Sequence, residues 1–508
     1  MRNQVIPIVT RAITCLVTVT AVLATVASVS TFAAEKKDRG ADQAVVTEII
    51  RLLDGDRSLA RELERVRPTL RAYYKDQAGA LLWLGSPRMN ALVNRVNRAK
   101  EDGLDPSHYP IDALKKRQAS SGTKEPRSLA ETELVFSAAF LKYASDLKVG
   151  RLSPRKVDPE LFAQTKTIDG VAALAMVATH ENLTVSFALW APQNPEYRAL
   201  HRLLSVHREI AARGGWAKVR PGETLKPGMR GPRVAQMRAR LKASRDITVD
   251  SREPDVYDPA LVMAVKRFQK RHGLEPDGVV GKQTVDAMNV PVEERIKQIV
   301  VNMERWRWLP EHLGDHYILV NIAGFNLTLV EAGAVRDRMR VAVGKPYRRT
   351  PVFSDRIRYL EFNPYWNVPY SIASRDLLPK IKKNPGMLKV QGYEVLRDGK
   401  IVAPETVNWS SLSRRNFPYA LRQKPGPKNA LGRVKFMFPN RFAVYLHDTP
   451  GHHVFARASR AFSSGCIRLA RPIDLSEEVL RDTPEWKRDR INAVLDSKER
   501  TVVNLAEP

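Results

Sequence analysis

The chain has 508 residues, of which 43% are hydrophobic and 27% are charged, and its formal net charge is +28. This length exceeds what a single core supports, and the composition excludes a disordered or membrane-embedded protein. A cytosolic protein this basic would suggest nucleic-acid binding. In an exported protein the available polyanions are lipid headgroups and the cell wall, or the charge is an ordinary solvated surface.

Residues 1–34 have the pattern of an export signal. Arg2 and Arg11 precede an uncharged run over residues 12–34, which is rich in Val, Ala, Thr and Leu and ends in small residues. A basic start, an apolar middle and a small-residue cleavage site define a secretory signal. The run is also long enough to cross a bilayer, so an uncleaved anchor is the alternative. Both interpretations predict an exported protein.

Export changes the meaning of the two cysteines, Cys15 and Cys466. If the signal is removed, the mature chain keeps one thiol and cannot form an internal disulfide. Exported proteins usually pair their cysteines. The remaining thiol is therefore intermolecular, buried and inert, or reactive.

Residues 41–215 are predicted to form a helical domain. Phe136, Phe140 and Tyr143 recur at the spacing of one helical face, and a Gly-Arg-Leu-Ser-Pro break follows at 150–154. We expect a scaffold of several helices in this region.

Residues 222–290 are predicted to form a second, compact helical unit. The segment AVKRFQKRHGLEPDGVVGKQTVDAM gives a helix, a stop at Gly273, a Pro-Asp-Gly turn and another helix after Gly281. This segment resembles the three-helix peptidoglycan-binding module, with a generic small helical domain as the alternative.

A helical connector over 295–309 leads into a region of strands. The runs YILVNIA, NLTLVE, VRDRMRVAVG, IRYLEF and VKFMF are short, rich in β-branched or aromatic residues and separated by turns. They predict a mainly β domain over 295–475. The polar, basic insertion at 371–426 is expected to form a lid, because long insertions in β domains often cover a site. Residues 476–508 are expected to form a helical tail.

Cys466 and His447 are the candidate nucleophile and base. His447 ends the apolar run FAVYL, and Cys466 follows 19 residues later, behind Ser-Ser-Gly. A free thiol has a pKa of about 8.5, and an adjacent imidazole lowers that pKa and accepts the proton. The N–H groups of Gly465 and Cys466 would hold a developing oxyanion. Arg468, on the same strand face as Cys466, suits a substrate carboxylate.

Other interpretations of these residues are weaker. A lone cysteine is often a buried hydrophobe. A zinc site built from Cys466, His447, His452 and His453 lacks the usual ligand spacings. Papain-like proteases place the cysteine before the histidine, and sortases place the arginine further along the chain.

The segment HDTPGHHVFARASRAFSSGCIRL resembles the signature of YkuD-type L,D-transpeptidases. Fifteen residues separate His447 from the Ser-Ser-Gly-Cys-Ile-Arg motif at 463–468, and PGPKNALG carries Asn429 of a second family motif. Ser464 departs from the histidine that many members have before Gly-Cys. The overall layout resembles the large proteobacterial subgroup, which has a helical scaffold, a peptidoglycan-binding domain and a β-sandwich-like catalytic domain with a lid. The resemblance implies a multidomain α+β protein.

This resemblance also implies a reaction. Cys466 would attack the carbonyl between the L-centre of diaminopimelate and D-Ala in a tetrapeptide stem, with His447 as base and then acid. A second diaminopimelate amine would resolve the acyl-enzyme into a 3→3 cross-link. The family requires no metal or cofactor and implies acylation of Cys466 by carbapenems. It implies stem peptides and glycan as partners, no nucleic acid, and a periplasmic location with a cleaved signal or an inner-membrane anchor.

Five further residues are candidates for substrate contacts beside Arg468. Tyr445 shares the strand face of His447, and Trp366 and Tyr370 stand at the edge of the insertion. Ser464 and Asn429 belong to the family motifs. Two alternatives stay open: an L,D-carboxypeptidase that passes the acyl group to water, and a non-catalytic wall-binding scaffold protein. The preferred acceptor is also open.

Overall fold

A computed structural model describes residues 28–55, 61–76, 80–163, 166–180 and 182–508. Most of the predicted export signal, including Cys15, lies outside the described residues. No helix within those ranges is both long and apolar enough to cross a membrane.

The chain divides into two compact units. Counting only the residues that the structure describes, one unit contains those up to Asn97 together with Ser107–Tyr143 and those between Asp169 and Ser186, and the other contains Arg98–Pro106, those between Ala144 and Ile168, and Phe187–Pro508. The region predicted as a single scaffold domain is therefore divided between the two units. Its helices are α1 (Ser28–Gly55), α2 (Arg61–Asp76), α3 (Arg88–Asn97), α4 (Ile111–Ala119), α5 (Pro126–Lys148), α6 (Pro154–Val157), α7 (Gly170–Thr179), α8 (Leu183–Trp190) and α9 (Pro195–Ala212).

The first unit has a helical core in which α5 is central. Phe136, Phe140 and Tyr143, the residues of the predicted face, are completely buried. Trp83 packs against two of them, with ring centroids 5.9 Å from Phe136 and 5.8 Å from Phe140. Burial of these large rings contributes to the stability of this unit.

The predicted three-helix unit is present in the second unit. Its helices are α10 (Pro232–Ala243), α11 (Pro259–Arg271) and α12 (Lys282–Met288). Val265 and Phe268 of α11 lie in its core, as their helical spacing predicts. The connector is α13 (Val292–Arg307), whose Met303 packs against α9.

The region predicted as the β domain contains most of the strands of the chain. The strands within the described residues are β1 (His316–Asn321), β2 (Asn326–Glu331), β3 (Ala334–Gly344), β4 (Tyr359–Phe362), β5 (Trp366–Asn367), β6 (Tyr393–Arg397), β7 (Lys400–Val402), β8 (Ala420–Gln423), β9 (Val434–Met437), β10 (Leu446–His447), β11 (Ala461–Ser463), β12 (Ile467–Leu469) and β13 (Thr501–Asn504). Apart from β5 to β8, they form a mixed sheet in the order β1-β2-β3-β12-β10-β9-β4-β13, with β11 paired to β3. Its first three strands, which correspond to the first three runs identified in the sequence, form an antiparallel meander.

The insertion is a small folded layer with its own core rather than an irregular loop. It contains α14 (Tyr370–Ile372), a π-helical turn (Ala373–Leu377), α15 (Leu378–Lys383) and α16 (Met387–Val390). Strands β5 to β8 form its sheet in the order β5-β8-β6-β7. Ile381, Val395 and Trp409 belong to its core. We call this layer, residues 366–423, the lid.

The C-terminal tail differs from the prediction of a helical segment beyond the catalytic domain. Helices α17 (Pro472–Val479) and α18 (Arg488–Ser497) are present, but Leu475 and Ile491 belong to the core of the catalytic sheet. These helices are followed by the strand β13, which pairs with β4. Two successive β-branched residues at 502 and 503 favour this strand, and the side chain of Val503 is buried.

Candidate active site

The candidate nucleophile and base lie on neighbouring strands. β10 runs parallel to β12, and His447 is paired with Arg468. Two residues earlier on each strand, the same register places Tyr445 beside Cys466. The N–H of Ile467 donates to the Tyr445 carbonyl at 3.1 Å. Because alternate residues of a strand share a face, all four side chains lie on one face of the sheet. The residues between them point into the core.

The turn before Cys466 is held by short hydrogen bonds. The Ser463 hydroxyl donates to the carbonyl of Cys466 at 2.6 Å and accepts the N–H of Gly465 at 3.1 Å. The Thr350 hydroxyl donates to the Gly465 carbonyl at 2.7 Å. Gly465 has a φ of 125°, a conformation that L side chains rarely adopt. The glycine and two hydroxyls therefore fix the path of the chain into the nucleophile.

This turn changes the predicted oxyanion site. The N–H of Gly465 was expected to face the substrate, but it donates to Ser463. Within the part of the chain that the structure describes, the N–H of Cys466 has no acceptor. Of the two predicted donors, only the N–H of Cys466 is available to a developing negative charge.

The Cys466 thiol is half-buried beside a strained backbone position. Its sulfur lies 3.8 Å from the carbonyl oxygen of Ala443, a non-glycine residue with a φ of 52°. Burial raises the pKa of Cys466, against the opposing effects of Tyr445, Lys435 and Arg468. The sequence led us to expect a lowered thiol pKa, and the direction is reversed because desolvation outweighs the nearby donors and cations. The resting cysteine is a neutral thiol.

The His447 imidazole is buried and neutral. Its Nδ1 donates to the backbone carbonyl of Asp448, which makes Nε2 the acceptor of the neutral ring. Burial and the neighbouring Arg468 cation lower the pKa of His447 to about 3, although the carbonyls of Asp448 and Leu431 act in the opposite direction. The ring is therefore a base that is unprotonated throughout the neutral pH range.

Tyr445 connects the thiol to the lid. Its ring centroid lies 5.7 Å from that of His447, in an edge-on arrangement. Its hydroxyl hydrogen-bonds Cys466 and the indole of Trp366, the first residue of β5. Burial raises the pKa of Tyr445, and so does the negative charge that Cys466 carries as a thiolate, so the hydroxyl remains a donor toward the sulfur. Tyr445 and Trp366, both predicted site residues, are thus brought together.

Lys435 is a site residue that the sequence analysis missed. It is paired with His447 across β9 and β10, and its Nζ lies 4.4 Å from the centroid of the Tyr445 ring. Burial lowers the pKa of Lys435, while Glu361 and Cys466 favour its charged form. The alternation in VKFMF places Lys435 on the face opposite the buried Val434 and Phe436, and this was the available signal.

Arg468 and Ser464 flank the nucleophile. Burial lowers the pKa of Arg468, and its Nε has no acceptor among the described residues, which leaves capacity for a carboxylate. Ser464 is exposed, and its hydroxyl accepts from Arg348 at 3.1 Å. Arg348 also donates to Asp376 of the lid at 3.0 Å. Ser464 therefore contacts the cation that connects the cysteine turn to the lid.

Tyr370 and Asn429 lie apart from this group. Tyr370 is exposed, and its hydroxyl donates to the carbonyl of Arg414 at 2.9 Å, within the lid. Asn429 is buried, and its amide donates to the carbonyls of Pro364 and Lys424, each at 2.9 Å. These contacts fix the loop after the lid. A substrate contact of either residue stays a prediction.

Comparison with known protein families gives three matches along the chain. Residues 315–487 match the YkuD family, described as the L,D-transpeptidase catalytic domain. Residues 68–204 match a scaffold domain, and residues 230–288 match a family described as "Putative peptidoglycan binding domain". All the strands of the site described above, β9, β10 and β12, lie within the first match.

Individual relatives are similar over part of the chain. A protein of Haemophilus influenzae named "Putative L,D-transpeptidase" is 37% identical over 227 residues, which cover 43% of this chain and 45% of that protein. The match thus spans less than half the length of that relative. The crystal structure of the L,D-transpeptidase (residues 123–326) from Xylanimonas cellulosilytica is 16% identical and covers 53% of this chain and 95% of the other, with a TM-score of 0.16.

Proposed function

Because residues 315–487 belong to the YkuD family of L,D-transpeptidase catalytic domains, we propose that this protein cross-links peptidoglycan stems with Cys466 as its nucleophile. The observation that carries the proposal is the shared sheet face of Tyr445, His447, Cys466 and Arg468. A thiol, a neutral imidazole, a donor and a cation on one face provide the groups that acyl transfer needs.

In the first half-reaction, the donor is the tetrapeptide stem. Cys466 Sγ attacks the carbonyl carbon of the diaminopimelate L-centre, and its proton passes to His447. The new S–C bond forms while the N–H of Cys466 stabilises the oxyanion. The bond to D-Ala then breaks, and His447 returns the proton to the leaving amine. Arg468 is the proposed partner of the donor carboxylate.

In the second half-reaction, an amine replaces D-Ala. The side-chain amine of another diaminopimelate attacks the thioester carbon, the C–S bond breaks, and a 3→3 amide forms. His447 takes the amine proton and returns it to the sulfur. The raised pKa of the Cys466 thiol favours this recovery of the neutral cysteine. Transfer to water instead would make the enzyme an L,D-carboxypeptidase.

The other regions of the chain support a role at the cell wall. The match of residues 230–288 suggests that this module holds the enzyme on glycan. The signal pattern of residues 1–34 suggests export to the periplasm, as a soluble enzyme or on an inner-membrane anchor. The positive charge of the chain favours association with the anionic wall.

Intact-mass analysis with a carbapenem tests the nucleophile. We expect one adduct on the wild-type protein and on Cys15→Ala, and none on Cys466→Ala. Incubation with purified tetrapeptide muropeptides should give 3→3 dimers with the first two proteins only. An adduct on Cys466→Ala would overturn the assignment of Cys466 as the nucleophile. Tripeptide products without dimers would indicate the carboxypeptidase, and an unlabelled wild-type protein would indicate a non-catalytic wall protein.

A further inference from the structure

The catalytic face extends past His447 into a charged cavity. This cavity has a volume of about 360 Å³ and lies between the catalytic sheet and the sheet of the lid. It is lined by Glu361, Tyr365, Asn367, Arg422, Lys435 and Arg500. None of these residues was singled out as a site residue from the sequence.

Strand register ties the cavity to the active site. Glu361 is paired with Lys435, Lys435 with His447, and His447 with Arg468. Directly paired residues share a face, and neighbouring strands are roughly 4.8 Å apart. His447 therefore has Arg468 on one side and Lys435, at the edge of the cavity, on the other.

The lining of the cavity is positively charged. The lining contains three cations, Lys435, Arg422 and Arg500, and one carboxylate, that of Glu361. The Glu361 carboxylate oxygens lie 2.5 Å from Arg500 Nε and 3.9 Å from Lys435 Nζ. Arg422 is paired at 2.7 Å with Glu394, which is outside the lining. A ligand carboxylate would meet cations from both sheets here, in a partly enclosed space where charge-assisted hydrogen bonds are strong.

The position of His447 identifies the substrate that this cavity fits. In the second half-reaction the attacking amine must come within hydrogen-bond reach of the base. The donor occupies the Cys466 and Arg468 side of the ring, so the acceptor approaches from the Lys435 side. An amine that carries a carboxylate on the same carbon would then direct that carboxylate into the cavity.

We propose that this cavity is the acyl-acceptor subsite and that it binds the carboxylate of an α-amino acid group whose amine attacks the thioester. The assignment rests on the proposed transpeptidase function. The ligand group is the same in a free amino acid and at the D-centre of a stem diaminopimelate. The cavity thus selects the acceptor, while Arg468 serves the donor.

Substitution of the cavity arginines in the full-length protein tests the subsite. Arg422→Gln removes a cation of strand β8, and Arg500→Gln removes the cation directly before β13. The control Arg397→Gln removes an exposed lid arginine that does not line the cavity. Two assays separate the half-reactions. Carbapenem acylation uses no acceptor, and the second assay measures transfer of the acyl group from a tetrapeptide stem to glycine or glycinamide. A third acceptor is a tripeptide muropeptide, which distinguishes the stem from the free amino acid.

We expect each cavity variant to raise the KM for glycine at least tenfold, with kcat and carbapenem acylation within twofold of wild type. The KM for glycinamide should stay within twofold, because it lacks the carboxylate, and Arg397→Gln should behave as wild type with every acceptor. A raised KM for the muropeptide extends the subsite to stems, and an unchanged one restricts it to free amino acids.

Three results would overturn the subsite. The first is an unchanged KM for glycine in both cavity variants. The second is a KM for glycinamide that rises as much as the KM for glycine. The third is a wild-type enzyme that is acylated but transfers the acyl group only to water. The last result leaves the Cys466 nucleophile intact. A wild-type protein that no carbapenem acylates overturns the proposed function itself, and the subsite with it.

Discussion

Two regions of this molecule bury ionisable groups with displaced pKa values, and they differ in how fully those groups are hydrogen-bonded. In the helical unit, Glu133 is completely buried and accepts from the backbone N–H groups of Leu82, Trp83 and Leu84 and from the hydroxyl of Tyr74. Burial raises the pKa of Glu133 to about 7. Its oxygens are saturated, so we interpret it as a structural residue that joins α5 to the segment at 82–84.

On the sheet face that carries Cys466 and His447, some hydrogen-bonding groups have no partner. His447 uses one ring nitrogen for a backbone carbonyl, and the N–H of Cys466 and the Nε of Arg468 have no acceptor within the described residues. A displaced pKa alone would mark Glu133 and His447 equally as functional. The open donors and acceptors, gathered on one face, distinguish a site built for a ligand.

The largest expected effect comes from His447→Gln. Removal of the proposed base should slow carbapenem acylation of Cys466 by roughly 10²- to 10⁴-fold. The measurement is the single-turnover rate from intact mass, with His453→Gln, an exposed histidine, as the matched control. A rate within threefold of wild type would show that His447 is as structural as Glu133.

Glu133→Ala should destabilise the protein without affecting catalysis. It leaves the buried N–H groups of Leu82, Trp83 and Leu84 without their acceptor, which costs about 3 kcal/mol. The control is Glu131→Ala on the same helix, whose half-exposed ion pairs with Arg117 and Arg127 contribute at most about 1 kcal/mol. Thermal unfolding measures the loss, and the acylation rate of the folded variant should equal that of wild type. Slower acylation at temperatures where the variant is folded would contradict the structural role.

The raised pKa of Glu133 also gives a pH dependence of stability. The folded state holds this proton more tightly than the unfolded state, whose carboxyl has a pKa of 4.5. Stability from this group is therefore complete below about 4.5 and falls as the pH rises to about 7. Glu133→Gln should remove this pH-dependent contribution to stability. The measurement is the difference in unfolding temperature between the wild-type protein and Glu133→Gln, taken from about pH 4.5 to about pH 7. A constant difference would mean that Glu133 is ionised when the protein folds.

Tyr445→Phe tests a finer feature of the catalytic face. The variant keeps the ring against His447 but removes the hydroxyl that donates to Cys466, so the thiolate loses a charge-assisted hydrogen bond. Acylation should slow about tenfold at neutral pH. Tyr419→Phe, within the lid, is the control and should match wild type. An unchanged acylation rate in Tyr445→Phe would mean that the hydroxyl only contacts Trp366 and does not assist Cys466.

The sequence predicted the parts of this fold that local patterns encode. The meander β1–β3, the helices of residues 222–290 and the pairing of Cys466 with His447 in one site depend on periodicity or on a short motif. The strand β13 at the sheet edge, the Lys435 cation and the hydroxyl of Thr350 depend on contacts between residues far apart in the chain. Sequence spacing does not carry that information.

The thiol pKa was predicted in the wrong direction for a similar reason. An adjacent histidine and arginine favour a thiolate, and both can be identified in the sequence. The desolvation that overrides them arises from burial of the thiol among residues such as Tyr445, which in turn contacts Trp366. Burial of this kind is a property of the assembled tertiary structure.

The smallest expected effect is that of pH on acylation. His447 has a pKa of about 3 and burial raises that of Cys466, so the pair holds one proton, on the thiol, across the range between them. The reactive fraction should therefore vary less than twofold between about pH 5 and 7.5, the interval in which Glu133 titrates. Single-turnover carbapenem acylation at saturating inhibitor measures this fraction. An inflection near 6.5, the pKa of an ordinary histidine, would mean that the imidazole titrates in water rather than in the buried position described here.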